Sequence, residues 1–205
     1  MSLTVALPKG RIAEEVLEIF KKIFKEDFEF ENRKLILKKA GWTFLNVRNW
    51  DVATYVENQA ADIGVVGFDV LSELESDVFE LMDLGLGKCR VSVAGIKKDE
   101  SYKDKTEIIV ASKLQNIAKK YFSKKGIPAS IIKLNGSIEL APLVGLSDVI
   151  VDIVQTGKTL KENGLEEKET IMHSSARLIA NKNSFIEKKE QIIKILERIK
   201  EFHGA

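Results

Sequence analysis

Short apolar runs of strand length alternate with amphipathic runs of helical spacing along most of the 205-residue chain. Neither kind of element can bury its apolar side alone, so this alternation predicts an α/β architecture with a largely parallel sheet. LTVALP reads as an opening strand. After the turn KGR, Ile12, Val16, Ile19 or Phe20, and Ile23 recur on one helical face. KLILKKAGWTFLNV reads as two strands in a hairpin around Lys39-Ala40-Gly41, and DVATYVENQ as a short helix with Asp51 as its N-cap. ADIGVVG and VFELMDLG read as strands on either side of the helix FDVLSELES.

The same rhythm continues with the strands VSVAGI, EIIVA, SIIKL and DVIVDIV. Between them, SKLQNIAKKYFSKKGIP is a well-marked helix. Ser112 and Gln115 have capping-box spacing, Leu114, Ile117, Ala118, Tyr121 and Phe122 form its apolar stripe, and Gly126 and Pro128 stop it. NGSIELAPLVGL reads as a turn and a short helix. A last helix is expected from Phe185 to Phe202, burying Ile192, Ile195, Leu196 and Ile199. The composition breaks at GLGKCR and at HSSARLIANK read as two crossings between small lobes. The first lobe is then 1–89 plus 174–205, and the second is 90–173. Two crossings make a hinge, and ligands favour the cleft between such lobes.

Composition narrows the function. With 44% hydrophobic and 31% charged residues the chain is a folded protein, not a disordered one. Lys and Arg number 32 against 31 Asp and Glu, a balance that argues against a general nucleic-acid or membrane-surface binder. One cysteine, Cys89, can form neither an intrachain disulfide nor a metal knuckle. His173 and His203 have no Cys or acid at ligand spacing, so no zinc site is expected. The N-terminus lacks the apolar core of a signal peptide and no run of 18 apolar residues occurs, which makes the cytoplasm the expected compartment.

The segment VDIVQTGKTL, Val151 to Leu160, carries the strongest chemical signal. A strand holding one acid, Asp152, breaks into Thr156-Gly157-Lys158-Thr159 at an expected helix start. Backbone amides and the helix dipole stabilise a phosphate there. Gly157 allows close approach or a positive φ, and Asp152 can accept two hydrogen bonds from a vicinal diol such as a ribose. Phosphate plus diol is a sugar phosphate; the alternative is a buried strand ending in an ordinary turn. In LPKGR, Lys9 and Arg11 flank Gly10 where the first strand meets its helix, suited to polyphosphate or to a plain solvated helix start. Arg48 has the same two readings. Glu139, after the Gly-Ser turn, could bind a ribose hydroxyl or a Mg²⁺ water, and Asp69 could face a ligand or cap its helix. No nucleophile elbow, Rossmann glycine set or Cys/His pair is present.

Taken in order, LPKGR, VRNWDVATYVENQAADIGVVGFDVL, GLGKCRVSVAG, NGSIELAPLVGLSDVIVDIVQTGKTLKENGL and ARLIANK resemble the ATP phosphoribosyltransferase family. That family catalyses the first step of histidine biosynthesis. The resemblance implies a two-lobed fold like the type II periplasmic binding proteins, with the active site in the interlobe cleft. It implies transfer of the 5-phosphoribosyl group from phosphoribosyl pyrophosphate (PRPP) to N1 of ATP, pyrophosphate release, and Mg²⁺ as cofactor. By the same resemblance, Asp152 takes the ribose hydroxyls, while Gln155, Thr156, Gly157, Lys158 and Thr159 take the 5-phosphate. Lys9, Arg11 and Arg48 become candidates for pyrophosphate or triphosphate, with Asp69 and Glu139 near the nucleotide. The loop has one acid where the common phosphoribosyltransferase pattern has an adjacent pair. Mg²⁺ is therefore expected mainly on the substrates' oxygens, with Glu139 or Asp152 reaching it through water.

Adenine N1 has a free lone pair at neutral pH and can attack ribose C1 directly, so no acid or base is assigned. The catalytic tasks are positioning and electrostatic preorganisation. The chain ends at Ala205, where long members of the family continue into a histidine-binding domain. It is therefore expected to be the short-form catalytic subunit, a homodimer paired with a regulatory subunit resembling histidyl-tRNA synthetase, without nucleic-acid or membrane partners. Two other classes stand beside this reading: a two-lobed solute-binding or sensor module, and a phosphoribosyltransferase for another base.

Overall fold

The computed structural model describes residues 3–204, with side chains through Phe202. Contacts divide the chain into two compact units. Unit 1 holds the residues through Leu71, Glu75–Gly87 and those from Ser175 onward; unit 2 holds Ser72–Leu74 and Lys88–Ser174.

Unit 1 opens with β1 (Leu3–Pro8), α1 (Arg11–Phe24), β2 (Ile36–Lys39), β3 (Trp42–Val47), α2 (Asn49–Glu57) and β4 (Ile63–Gly67). It continues with α3 (Phe68–Leu74), whose last residues group with unit 2, and β5 (Phe79–Asp83). The chain returns through β11 (Ala176–Ala180), α7 (Lys182–Glu187) and α8 (Lys189–Gly204). Its sheet runs β2-β3-β1-β4-β11-β5. β1 and β4 are apolar and buried almost throughout, as strands covered on both faces must be. Below them Phe20 meets Phe28, Trp42 and Phe44 edge-on, with ring centroids 6.4, 5.1 and 5.4 Å away. Each such pair contributes about 0.5–1.5 kcal/mol beyond its buried area.

Unit 2 contains β6 (Cys89–Ile96), a 3-10 turn at Ser101–Asp104, β7 (Ile108–Ser112), α4 (Gln115–Lys124) and β8 (Ala129–Lys133). Then come α5 (Leu140–Leu143), β9 (Val149–Val154), α6 (Lys158–Glu162) and β10 (Leu165–Ser174). Its sheet order is β10-β6-β9-β7-β8.

Five expectations need correction. The sheets are mixed, not largely parallel: β1 pairs β3 and β4 in parallel, but β2, β11 and β5 join antiparallel. In unit 2 only the β7–β8 and β7–β9 pairs are parallel. The hairpin β2–β3 leaves no room for the crossover a parallel pair needs. Its turn residues Ala40 and Gly41 both have positive φ, at 50° and 80°, as a two-residue hairpin requires.

Second, Asp51 lies inside the first turn of α2, and Arg48 occupies the capping position. Third, Ser112 ends β7 and forms no capping box. Its hydroxyl donates to the Val151 carbonyl and accepts from the Leu114 amide. The start of α4 is held instead by the buried Glu73 carboxylate, which accepts from the amides of Asn116 and Ile117 at 3.0 Å. Fourth, the last helix is two helices broken at Lys188, whose ammonium reaches both oxygens of buried Asp62 at 2.8 Å. Fifth, Gly67, not Asp69, occupies the N-cap position of α3, and Asp69 lies in the first turn.

Candidate active site

In unit 1 the candidate cations gather at one edge of the sheet. β1, β3 and β4 run parallel, so their carboxyl ends lie together, where open α/β sheets bind ligands. Pro8 pairs with Val47, and the residue that follows each strand is a cation, Lys9 and Arg48. The Lys9 amide donates to the Val47 carbonyl at 2.8 Å, which ties the two strand ends. Gly10 follows at φ 97°, a value that favours glycine, and Arg11 opens α1 with its Nε 3.4 Å from Glu15. Lys9, Arg11 and Arg48 are exposed. Asp69 belongs to the same edge, just past the end of β4, but its side chain is buried. A Cβ on Gly67 would lie 2.4 Å from an Asp69 carboxylate oxygen, so the glycine makes room for that acid.

In unit 2 the carboxyl ends of the parallel strands β9, β7 and β8 collect the remaining candidates. β9 delivers Asp152 and then the loop Gln155-Thr156-Gly157; β7 delivers Lys113; β8 leads through 134–138 to Glu139, at the cap of α5. Gly157 has φ 74° and caps α6, and a Cβ there would meet only Val154, at 3.8 Å. Backbone conformation, not crowding, is what asks for glycine. The Thr156 hydroxyl accepts from the Lys158 amide at 3.3 Å, and Lys158 lies 3.7 Å from Glu162. The first amides of α6 have no partner within the helix, as at every helix start.

Burial pushes the Asp152 carboxyl up to about 6. The Ile153 amide, donating at 2.8 Å, opposes the rise, as does Lys113, while the neighbouring Glu139 charge adds to it. The influence of Glu139 on Asp152 puts the two acids in one electrostatic neighbourhood. Two hard carboxylates fit Mg²⁺, which takes few protein ligands and keeps waters and substrate oxygens. Among the described residues no group of three or more His, Cys, Asp or Glu stands ready to cage a metal. A cavity of about 780 Å³ in unit 1 lies along α1, but Glu14, Glu18, Asp27 and Glu29 line it against one Lys21, an ill match for polyphosphate.

Sequence reasoning missed a further group here. Arg90 on β6 grips Glu167 on β10, with Nε at 2.7 and 3.0 Å from the two carboxylate oxygens and Nη2 at 2.6 Å. Its Nη1 donates to the carbonyl of Gln155 at 3.3 Å. Ser92 and Thr170 hydroxyls donate to the same Glu167 at 2.8 and 2.9 Å. The Arg90 hydrogen bonds, ahead of those from Ser92 and Thr170, hold the Glu167 carboxyl down at about 2 against the effect of burial. The missing signal was β10 itself. LEEKETIMHS carries four charges, and its ladder with β6 shifts register twice, so no simple alternation marks it.

The molecule has the α/β fold class of the type II periplasmic binding proteins. A substrate-binding protein of an amino acid ABC transporter shares the fold at a TM-score of 0.63 and 13% identity, over 100% of this chain and 94% of that one. Such low identity speaks for the fold alone. This chain belongs to the ATP phosphoribosyltransferase family, whose model matches residues 48–201. It is 60% identical over 198 residues to the ATP phosphoribosyltransferase of Sulfurovum sp. (strain NBC37-1), covering 97% of this chain and 96% of the relative. The enzyme of the same name from Campylobacter curvus (strain 525.92) is 59% identical over 200 residues, with 97% of each covered. Among solved structures, the ATP phosphoribosyl transferase (HisG:HisZ) complex from Thermotoga maritima contains a chain that matches at a TM-score of 0.84 and 37% identity, with 97% of each covered.

Proposed function

We propose that Asp152 and the loop Gln155–Thr159 bind PRPP in the reaction of this ATP phosphoribosyltransferase, which transfers the 5-phosphoribosyl group to N1 of ATP, releases pyrophosphate and begins histidine biosynthesis. One observation carries the reading: a desolvated carboxylate on β9 stands just before a left-handed glycine that opens a helix. The carboxylate suits the ribose hydroxyls, while the helix-start amides and the Thr156 and Thr159 hydroxyls suit the 5-phosphate. The cations at the carboxyl edge of unit 1, Lys9, Arg11 and Arg48, suit pyrophosphate or triphosphate. Asp69 and Glu139 are assigned to the nucleotide side.

The N1–C1 bond forms as the C1–oxygen bond to pyrophosphate breaks, and the electron pair leaves with pyrophosphate. N1 supplies its own lone pair, so no side chain needs to remove a proton. The chain's tasks are to hold C1 in line with N1 and to support positive charge developing on the ribose. Mg²⁺ is the expected cofactor; it would neutralise pyrophosphate charge, and Glu139 or Asp152 would hold it through water. The working form is a homodimer in a hetero-oligomer with a regulatory subunit; the two-component Thermotoga maritima complex supports the hetero-oligomer. The cytoplasm is the compartment that fits a site for ATP and PRPP. Among the described residues, no helix is long and apolar enough to cross a membrane.

The test is a Gly157→Val variant titrated with PRPP. The branched side chain is strained at φ 74°, so PRPP affinity should fall at least about tenfold while the thermal transition persists. Wild-type affinity in a folded variant would remove the loop assignment.

A further inference from the structure

We propose that Arg90 is a positioning residue for the phosphoribosyl loop, fixing the peptide plane between Gln155 and Thr156 through a clamp on Glu167. The proposal rests on the reading of residues 155–159 as the loop that holds the 5-phosphate. Arg90 sits on β6 between the strand that delivers the loop and the edge strand, in register with Val154 of β9 and His173 of β10. The guanidinium is a rigid fork, so engaging Nε and Nη2 with one carboxylate dictates where Nη1 lies. Glu167 is itself held by the hydroxyls of Ser92 and Thr170, which limits how far the fork can swing.

The one remaining nitrogen donates to the Gln155 carbonyl. Val154 is set by its ladder with Arg90, and the Gly157 carbonyl by the Lys161 amide at 3.2 Å. Gln155 and Thr156 lie between those two anchors. Because a peptide unit is planar and trans, a Gln155 carbonyl turned toward Arg90 turns the Thr156 N–H to the opposite side. Arg90 thus sets the direction of an amide at the start of the loop. The Glu167 partner offsets its positive charge, so its contribution is geometric, not a long-range attraction for phosphate.

That distinction is testable. Arg90→Lys keeps the charge and loses the fork; Arg90→Met loses both; Glu167→Gln keeps Arg90 and weakens the clamp. Each full-length variant is titrated with PRPP, with ribose 5-phosphate and with ATP, and KM for both substrates is measured with Mg²⁺ present. Expected are about tenfold weaker PRPP and ribose 5-phosphate binding in Arg90→Lys and Arg90→Met, a smaller loss in Glu167→Gln, and ATP values within about twofold of wild type. Full rescue by Arg90→Lys would overturn the geometric role. So would equal losses for ATP and PRPP that follow a lowered Tm, because those mark a merely structural strand clamp. If Arg90→Met does not fold, Arg90→Lys and Glu167→Gln decide alone. Gly157→Val runs in parallel. PRPP lost there but retained in the Arg90 and Glu167 variants overturns this proposal and leaves the loop reading standing; PRPP retained in Gly157→Val as well removes the loop reading itself.

Discussion

Asp152, the proposed partner of the ribose hydroxyls, carries a cost in stability that varies with pH. Its folded pKa, about 6, lies above the ordinary value of 3.8 because burial penalises the charged form. Between those values the folded protein holds a proton that the unfolded chain has released. Stability from this group therefore falls as pH rises from 3.8 through about 6, and the cost is fully present above that window. Asp152→Asn should stabilise the fold at neutral pH, by on the order of 1 kcal/mol, and give no gain at pH well below the ordinary aspartate range. The same variant should bind PRPP more weakly, since an amide accepts at one atom where a carboxylate accepts at two. Wild-type affinity for PRPP should in turn rise as pH increases through about 6, more steeply than in Asp152→Asn, where only the phosphates of PRPP still titrate. Thermal scans and PRPP titrations across pH check both; a variant no more stable than wild type at neutral pH would mean the carboxylate carries no burial cost. The acid itself was visible in VDIVQTGKTL, but its desolvation was not, because burial is supplied by neighbours outside the segment.

At the level of elements, apolar periodicity located most strands and helices, and most corrections concern what holds their ends. Capping depends on which side chain reaches an end in space. Asn181 is the clearest case. Its side-chain oxygen accepts from the amides of Asn183 and Ser184 at 2.9 and 3.0 Å, starting α7. Its amide nitrogen donates to the carbonyls of Val56 and Glu57 at 2.9 and 3.1 Å, closing α2. One buried side chain therefore serves two helix ends. Asn181→Ala should cost about 2 kcal/mol, the sum of a lost cap and of the hydrogen bonds lost at the Val56 and Glu57 carbonyls. Asn181→Asp, which keeps the cap acceptor and loses the donor, should fall between. Urea denaturation measures this, and an alanine variant within about 0.5 kcal/mol of wild type would contradict it. Glu73 at the start of α4 teaches the same lesson. The acid lies 43 residues from the amide of Asn116 that it caps, and a window of local sequence showed only Ser112 and Gln115 at box spacing.

On the scale of the whole molecule, two α/β units each gather their candidate residues at the carboxyl ends of parallel strands, cations in unit 1 and the carboxylates with the glycine loop in unit 2. The proposed dependence on a regulatory subunit makes a prediction at this scale: the purified chain alone should turn over slowly and be insensitive to histidine. A pyrophosphate-release assay with ATP, PRPP and Mg²⁺ checks it, and strong histidine inhibition of the single chain would refute it. The order of the elements, their apolar faces and the family motifs were legible in the sequence because each is a property of a short continuous stretch. The strand direction in each sheet, the strand β10, the break at Lys188 and the Arg90–Glu167 clamp were not. They join residues far apart along the chain, 77 in the case of Arg90 and Glu167. Sequence alone determined the family, and with it the reaction, because its motifs are local. Only the tertiary structure decided the burial of Asp152 and the hydrogen bond from Arg90 to the loop, because those interactions exist once the strands have paired.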